Sequence, residues 1–393
     1  MKVINKDQVK LDQIKVLIRL DLNVPLDKGE ITDTNRIDKI IPTLKFLLSK
    51  KAKLILISHV GRPKGKWIKE LSLSPICENI SLKLNENVRL INEDVLTLNK
   101  NEIFKNSKES LVMLENIRFY IEEEENNPKF AQHLADLGDI YVNEAFSCSH
   151  RAHASVTEIT KYLPCYAGIQ LNSEVEALKK ITSNVLKPIT CIMGGSKIST
   201  KINVIKNLIP KFNNIIVVGG MANNILKFKG FNIGKSIYEK NCNDIVEQIF
   251  SLAKTNKCEI VYPKDVAIGK NLNDLSKIKN LDEIENDDLI LDIGLKTINN
   301  IKSIIQKSKT ILWNGPAGYF ENENFAKGSY EIAKEISKST KSENIYSVVG
   351  GGDTVALINK FNLYKDFNFV STAGGAFLEF LEGKELPGIK SLN

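Results

Sequence analysis

Arginine is the scarce cation of this sequence: six arginines stand against 48 lysines, and all six lie before residue 152. A guanidinium offers what an ammonium does not, a planar and permanently charged fork of donors matched to carboxylate and phosphate. Arg19, Arg36, Arg62, Arg89, Arg118 and Arg151 therefore mark the first part of the chain as a place to hold a small anion. Asp21 and Asn23 follow Arg19 at period-two spacing, which on a strand puts all three on one side. Thr34-Asn35-Arg36-Ile37 opens a helical stretch, and Ser58-His59-Val60-Gly61-Arg62-Pro63 and Glu115-Asn116-Ile117-Arg118-Phe119 each follow a strand-like run. Asn143-Glu144, running on to His150-Arg151-Ala152-His153, follows another. Converging, these segments would gather Arg36, Arg62, Arg118, Arg151, His59 and His150 around one anion. His150 and His153 also offer a metal two imidazoles, but Arg151 lies between them and no other ligand motif accompanies them.

The second part of the chain carries a different signal. Four strand-like runs pass into glycines and then into a helical pattern: Met193-Gly194-Gly195-Ser196-Lys197, Val218-Gly219-Gly220, Val349-Gly350-Gly351-Gly352-Asp353-Thr354 and Val370-Ser371-Thr372-Ala373-Gly374-Gly375. Glycine lets the backbone approach a ligand, and the helix that follows presents free N–H groups and a positive dipole end to phosphate. A single such turn is as well explained by packing; four in one region point to a nucleotide. Asp353 suits either a helix cap or a magnesium ion carried on nucleotide phosphates. Lys197 and Lys201, four apart, are expected on one face at the start of a helix, reaching phosphate. Gly230 to Ser236 and Gly61 to Trp67 imitate a P-loop but are each one residue short between the glycines, and no G-x-G-x-x-G opens a helix after a strand.

The elements that must position these groups are short apolar runs at 16–20, 54–57, 112–114, 140–142, 189–193, 215–218, 260–262, 310–313, 347–349 and 369–370, separated by helical stretches. Continuous apolar strands between helices imply parallel sheets covered on both faces, the doubly wound α/β class, whose ligands bind beyond the strands' carboxyl ends. A boundary is expected near 164–168, followed by helical spacing of Leu171, Val175 and Leu178. The acidic run at 122–125 reads as a solvated loop or helix start rather than a metal site.

Length and composition narrow the classes. A chain of 393 residues predicts two domains or three. At 42% hydrophobic and 26% charged it is not a disordered chain. Its longest apolar runs fall far short of the ~20 residues that cross a bilayer, and its first residues show no apolar signal core. Six scattered cysteines without C-x-x-C predict free thiols and a cytoplasmic protein. The net charge of +7 would suit a nucleic-acid partner, but the lysines are dispersed without aromatic interleaving, so neither nucleic acid nor membrane is expected to bind.

Taken together, the motifs resemble those of the phosphoglycerate kinase family over essentially the whole chain. The segments are R-L-D-L-N-V-P (19–25), T-N-R-I (34–37), S-H-V-G-R-P (58–63), E-N-I-R-F (115–119), H-R-A-H (150–153), G-G-S-K-I-S-T-K-I (194–202), W-N-G-P-A-G-Y-F-E (313–321), G-G-G-D-T (350–354) and S-T-A-G-G-A-F-L-E (371–379). The resemblance implies two doubly wound domains separated by a cleft. A 3-phosphoglycerate domain over 1–167 and a nucleotide domain over 186–372 would be joined by a helix at 168–185, with 373–393 returning to the first domain. It implies reversible phosphoryl transfer between 1,3-bisphosphoglycerate and MgADP in glycolysis, by a monomer. Asp21, Asn23, Arg36, His59, Arg62, Arg118 and Arg151 would hold the glycerate. Lys197, Lys201, Asn314, Pro316, Glu321, Gly350, Gly351, Gly352, Asp353 and Thr354 would serve the nucleotide, with Glu321 at the ribose and Asp353 at magnesium. Arg36, Lys197, Lys201 and Gly351 would act on the transferring group. Thr200, Val218, Glu144, Ser147 and Ala373 depart from the family pattern, which leaves fine nucleotide placement and hinge behaviour open. Another small-molecule kinase of the same two-domain logic is the alternative, and it would make the glycerate residues coincidental.

Overall fold

A computed structural model describes residues 1–27, 29–106, 108–183 and 185–393. The chain divides into two compact units, one of Met1–Glu176 with Glu385–Asn393 and the other of Ala177–Lys384.

Unit one begins with β1 (Lys15–Arg19), a short pair β2 (Leu26–Asp27) and β3 (Glu30–Ile31), α1 (Asn35–Ser49) and β4 (Lys53–Ile57). There follow α2 (Ser74–Leu84), β5 (Arg89–Ile91), β6 (Leu111–Leu114), α3 (Ile121–Glu124) and α4 (Pro128–Asp136). β7 (Ile140–Asn143) and β8 (Cys165–Ala167) precede α5 (Ile169–Thr182), inside which the division between the units falls. The six-stranded sheet runs β5-β6-β4-β1-β7-β8, every pairing parallel. Val16, Leu17, Ile18 and Arg19 of β1 are all fully buried, as a central strand covered on both faces requires. α1 turns Ile37, Ile40, Leu44 and Leu47 onto that sheet at helical spacing.

Unit two contains β9 (Ile189–Met193), α6 (Ile202–Leu208), β10 (Asn214–Val217), α7 (Gly220–Phe228), α8 (Asn243–Asn256) and β11 (Glu259–Val261). A small antiparallel sheet, β12 (Asp265–Gly269), β13 (Lys277–Asn280) and β14 (Leu289–Ile293), then interrupts the alternation. After it come α9 (Leu295–Lys307), β15 (Thr310–Asn314), α10 (Lys327–Lys341), β16 (Tyr346–Gly350), α11 (Gly352–Lys360), β17 (Phe369–Ser371) and α12 (Gly374–Leu381). The large sheet runs β11-β10-β9-β15-β16-β17, again all parallel. α13 (Pro387–Lys390) belongs to unit one, where the Gly388 amide donates to the Ser149 carbonyl at 2.9 Å.

The expected α/β class with two doubly wound parallel sheets is thus present. In each sheet the first strand lies centrally: in unit two β10 and β11 build outward in succession, in unit one β6 inserts between β4 and the edge strand β5, and in both the chain then crosses to the other side. The order reverses between β1 and β7 in unit one and between β9 and β15 in unit two, and crevices for ligands open beyond such switch points.

Three local expectations need correction. β1 ends at Arg19, so Asp21 and Asn23 lie in the coil beyond it, and strand alternation does not set their direction. Lys197 and Lys201 precede α6 rather than riding on it, Lys201 being its N-cap. The acidic run at 122–125 is the short helix α3 with its C-cap, but Glu123 within it is fully buried, not solvated. Among the described residues no helix is long and apolar enough to cross a membrane, and all six cysteines are free. Asn184, in the segment expected as the joining helix, lies outside the described residues.

Candidate active site

In unit one the groups beyond β1, β4, β6 and β7 form a cationic cluster. Arg36, in the first turn of α1, donates Nη1 to Asp21 Oδ1 at 2.5 Å, and Ser147 Oγ is 3.5 Å from the same nitrogen. Asn23 Oδ1 accepts from the Gly61 amide at 2.9 Å, tying the coil after β1 to the loop after β4. Arg118 donates Nη1 to the Gly61 carbonyl at 3.1 Å and has its Nε 3.4 Å from Glu124. Arg151 Nε donates to His150 Nε2 at 3.1 Å, and Arg62 is exposed on the loop beside Gly61. His59 Nδ1 lies 2.9 Å from Arg19 Nη2.

These groups feel one another's charge. Burial, then Arg19, Arg118, His153 and Arg36, hold the His59 imidazole well below its ordinary range. Burial and the neighbouring Arg118, Arg19 and Arg151 push His153 down to about 3. Burial is the larger cause and the guanidiniums add to it, so both imidazoles are held neutral beside the arginines, whose carboxylate partners are Asp21, Glu123 and Glu124. The sixth arginine stands apart: Arg89 forks onto Glu109 at 2.6 and 3.0 Å and braces the segment around β5. Lys39, one turn beyond Arg36, has its ammonium 3.8 Å from Glu174 and is lowered by burial.

In unit two the switch point is occupied by Lys201. Its Nζ donates to the Gly194 carbonyl at 2.6 Å and to Asn314 Oδ1 at 2.5 Å, bridging the ends of β9 and β15. Asn314 Nδ2 in turn donates to the Gly350 carbonyl at 2.7 Å, and the Gly315 amide donates to Thr354 Oγ1 at 2.7 Å. One lysine thus sits in a lattice of backbone contacts joining three strand ends. Burial lowers its ammonium to about 8, with Asp353 opposing the fall. Glycine is required where the lattice is tight: a Cβ on Gly194 would lie 2.0 Å from the Pro316 carbonyl oxygen. Gly351, with φ of +98°, caps α11 and leaves only 2.6 Å between a Cβ and Asn314 Nδ2. Gly352 and Asp353 stand exposed in the first turn of α11, where its free N–H groups begin. Lys197 is exposed in the loop before α6, and its carbonyl accepts from Thr200 Oγ1 at 2.9 Å.

Beside this lattice opens a cavity of about 300 Å³, lined by Gly195, Gly219, Gly220, Pro316, Glu321 and Asp353 on its polar side. Pro263, Val266, Leu289 and Leu291 supply an apolar wall that no motif announced. An apolar slot rimmed by a few polar groups suits the flat ring of a nucleobase. Buried Asp292 closes the slot; it accepts from the Gly328 and Ile293 amides, and burial pushes it up to about 7. The carboxylates close enough to share a cation are Glu285, Asp287 and Asp288, among the described residues, but Lys270 and Lys279 already pair with them.

The departures from the family pattern have local partners. Glu144 is buried beyond β7, accepts from Thr43 Oγ1, and caps α5 through the Gln170 and Leu171 amides at 3.0 and 2.9 Å. Val218 is buried, and Ala373 caps α12 with its amide 3.3 Å from Ser371 Oγ.

Comparison with known proteins gives one answer. The phosphoglycerate kinase family profile matches residues 6–384. The phosphoglycerate kinase of Wolbachia pipientis wMel is 43% identical, covering 100% of this chain and 99% of that protein. That of Dictyoglomus turgidum is 44% identical, covering 96% and 95%. Among solved structures, phosphoglycerate kinase from Coxiella burnetii aligns with a TM-score of 0.89 at 41% identity, covering 98% of this chain and 97% of that one. The enzyme from Pyrococcus horikoshii aligns at 0.84 with 27% identity, covering 100% and 98%. With a cationic cluster in one unit, a glycine-lined cavity in the other and relatives matched end to end, the chain belongs to the phosphoglycerate kinase family.

Proposed function

We propose that the two sites divide one reaction between them. The reaction is the reversible transfer of a phosphoryl group between 1,3-bisphosphoglycerate and ADP, giving 3-phosphoglycerate and ATP in glycolysis. Asp21, Asn23, Arg36, His59, Arg62, Arg118 and Arg151 hold the phosphorylated three-carbon acid. The nucleotide lies in the cavity of unit two with Glu321 at the ribose, Asn314, Pro316 and Thr354 shaping the phosphate end, and Gly350, Gly351 and Gly352 presenting backbone. The magnesium ion travels on the nucleotide, and Asp353, exposed at the cavity and free of a structural ion pair among those described, is the carboxylate placed to face it.

The carrying observation is the placement of Lys201, a cation fixed by the Gly194 carbonyl and Asn314 at the sheet's switch point, beside the cavity. Both oxygens that exchange the phosphoryl group, a nucleotide phosphate and a carboxylate, are ionised near neutral pH. No general base is needed. Charge spreads over the phosphoryl oxygens in a loose transition state, so positioning and cationic stabilisation carry the catalysis. Arg36, Lys197, Lys201 and the Gly351 amide supply that stabilisation once both substrates are bound and water is excluded from the acyl phosphate.

The domain assignment follows: 1–167 serves the glycerate, 186–372 the nucleotide, 168–185 joins them and 373–393 returns toward the first. The enzyme works as a cytoplasmic monomer. A coupled assay with 3-phosphoglycerate and MgATP tests the reading: turnover that needs both substrates is expected. Absence of turnover, or ATP consumption indifferent to 3-phosphoglycerate, would count against it.

A further inference from the structure

Arg19 is the one arginine of the cationic cluster that is wholly sealed from solvent, and it touches no surface a substrate could reach. Its guanidinium is fixed on every side. Nε donates to Ser155 Oγ at 2.8 Å, Nη1 to the Leu20 carbonyl at 2.6 Å, and Nη2 lies 2.9 Å from His59 Nδ1. The counter-charge is Glu123, also fully buried, 4.0 Å away. Glu123 is itself held by the Ser155 hydroxyl at 2.7 Å and the Ser155 amide at 2.8 Å. A guanidinium has donors only and does not lose its proton, so in the contact with His59 the imidazole Nδ1 must accept. The ring proton then resides on Nε2.

We propose that Arg19 is a positioning residue that locks His59 as the neutral Nε2–H tautomer, so that the ring meets the anionic substrate as an oriented donor of fixed charge. This rests on the reading of His59 as a ligand of the glycerate. The charged and titratable groups acting on the ring are Arg19 from β1, Arg118 after β6, His153 in the loop after β7 and Arg36 on α1, after burial itself; the nearby carboxylate is Glu123 of α3, 4.0 Å from Arg19 Nη2 and 3.8 Å from His153 Nδ1. Cys148 Sγ lies 4.0 Å from Arg19 Nη2. An unrestrained histidine would change charge across the working pH range and with it the grip on the substrate. Lysine at position 19 would keep the charge but, as a single compact ammonium, could not span Ser155, the Leu20 carbonyl and His59 together.

The test is a two-bond proton–nitrogen correlation spectrum of the full chain labelled at histidine nitrogens, with the His59 signals assigned by their loss in His59→Gln. The expected spectrum shows a bare accepting Nδ1 and a protonated Nε2, with no titration from about pH 5.5 to about pH 8. An Nδ1–H tautomer or an imidazolium at neutral pH overturns the proposal outright. In Arg19→Lys the ring should titrate, and the KM for 3-phosphoglycerate should rise about fivefold from the acid to the alkaline end relative to wild type, with the KM for ATP unmoved. A His59 spectrum unchanged in that variant, or equal losses for both substrates, overturns it as well. If Arg19→Lys does not fold, the wild-type spectrum decides. Addition of 3-phosphoglycerate separates the underlying reading: a locked Nε2–H tautomer that fails to respond to the substrate sinks His59 as a ligand while leaving the role of Arg19 intact.

Discussion

In the proposed reading, the two halves of this enzyme recognise anions by opposite means. Unit one uses side chains: Arg36 is aimed by Asp21, Arg118 by the Gly61 carbonyl, and His59 by Arg19. Unit two uses mainly the absence of side chains: Gly194 and Gly351 keep the strand ends open, and a single lysine is threaded between the Gly194 carbonyl and Asn314. A small rigid acid rewards forked donors of fixed geometry, whereas a polyphosphate rewards a run of backbone N–H groups and one anchored cation. The contrast makes a rule that experiment can break. Unit one should fail when side chains are removed, and unit two when they are added.

The largest effect is expected at Arg36. Arg36→Ala should lower kcat by about two to three orders of magnitude, the loss seen when one transition-state donor is deleted, with the thermal midpoint little changed. Near-normal turnover would break the assignment. Next comes the converse in unit two. Gly351→Ala places a methyl 2.6 Å from Asn314 Nδ2 at a φ of +98°, so the KM for ATP should rise by about tenfold or more while 3-phosphoglycerate binding holds. An unaltered ATP KM would show that the turn has room to spare.

A third effect concerns pH. With Lys201 lowered to about 8, the free enzyme should lose affinity for nucleotide as pH rises through 8, because the ammonium loses its charge there. Lys201→Met should bind weakly at all pH values and lack that inflection in a binding titration. The smallest effect is on stability. Burial raises Glu144 to about 7 in the folded chain, against 4.5 for the free side chain. The folded state therefore binds the proton more tightly than the unfolded state, and this group's contribution is full below about pH 4.5 and lost as pH rises through about 7. Denaturant titrations of Glu144→Gln should show a flatter fall of stability over that window than wild type, and an identical slope would contradict the assignment.

How much could be read from the sequence differed between the halves for the same physical reason. The glycine turns of unit two are local: a strand, a glycine and a helix start occupy a few consecutive residues, so Gly219, Gly350 and Gly351 were visible as types in order. The antiparallel insertion was not. β13 is largely exposed Lys277-Ile278-Lys279-Asn280, without the apolar run that marks a buried strand, and the edge strands β5 and β8 are three residues each. In unit one the scarce arginines raised the expectation of an anion, but their partners come from afar in sequence. Glu123 sits in an acidic run that reads as solvated, and only the fold brings it to Ser155 and Arg19. Lys197 and Lys201 were expected on one face at the start of a helix, whereas α6 begins only after them, at Ile202.

The most direct test of the division of labour is a pair of calorimetric titrations, 3-phosphoglycerate and MgADP, each into wild type and into Arg151→Ala. Wild type should bind both, and Arg151→Ala should lose about tenfold in affinity for 3-phosphoglycerate while binding MgADP as before. Equal weakening of both ligands, or undiminished 3-phosphoglycerate binding, would contradict the assignment of the acid to unit one.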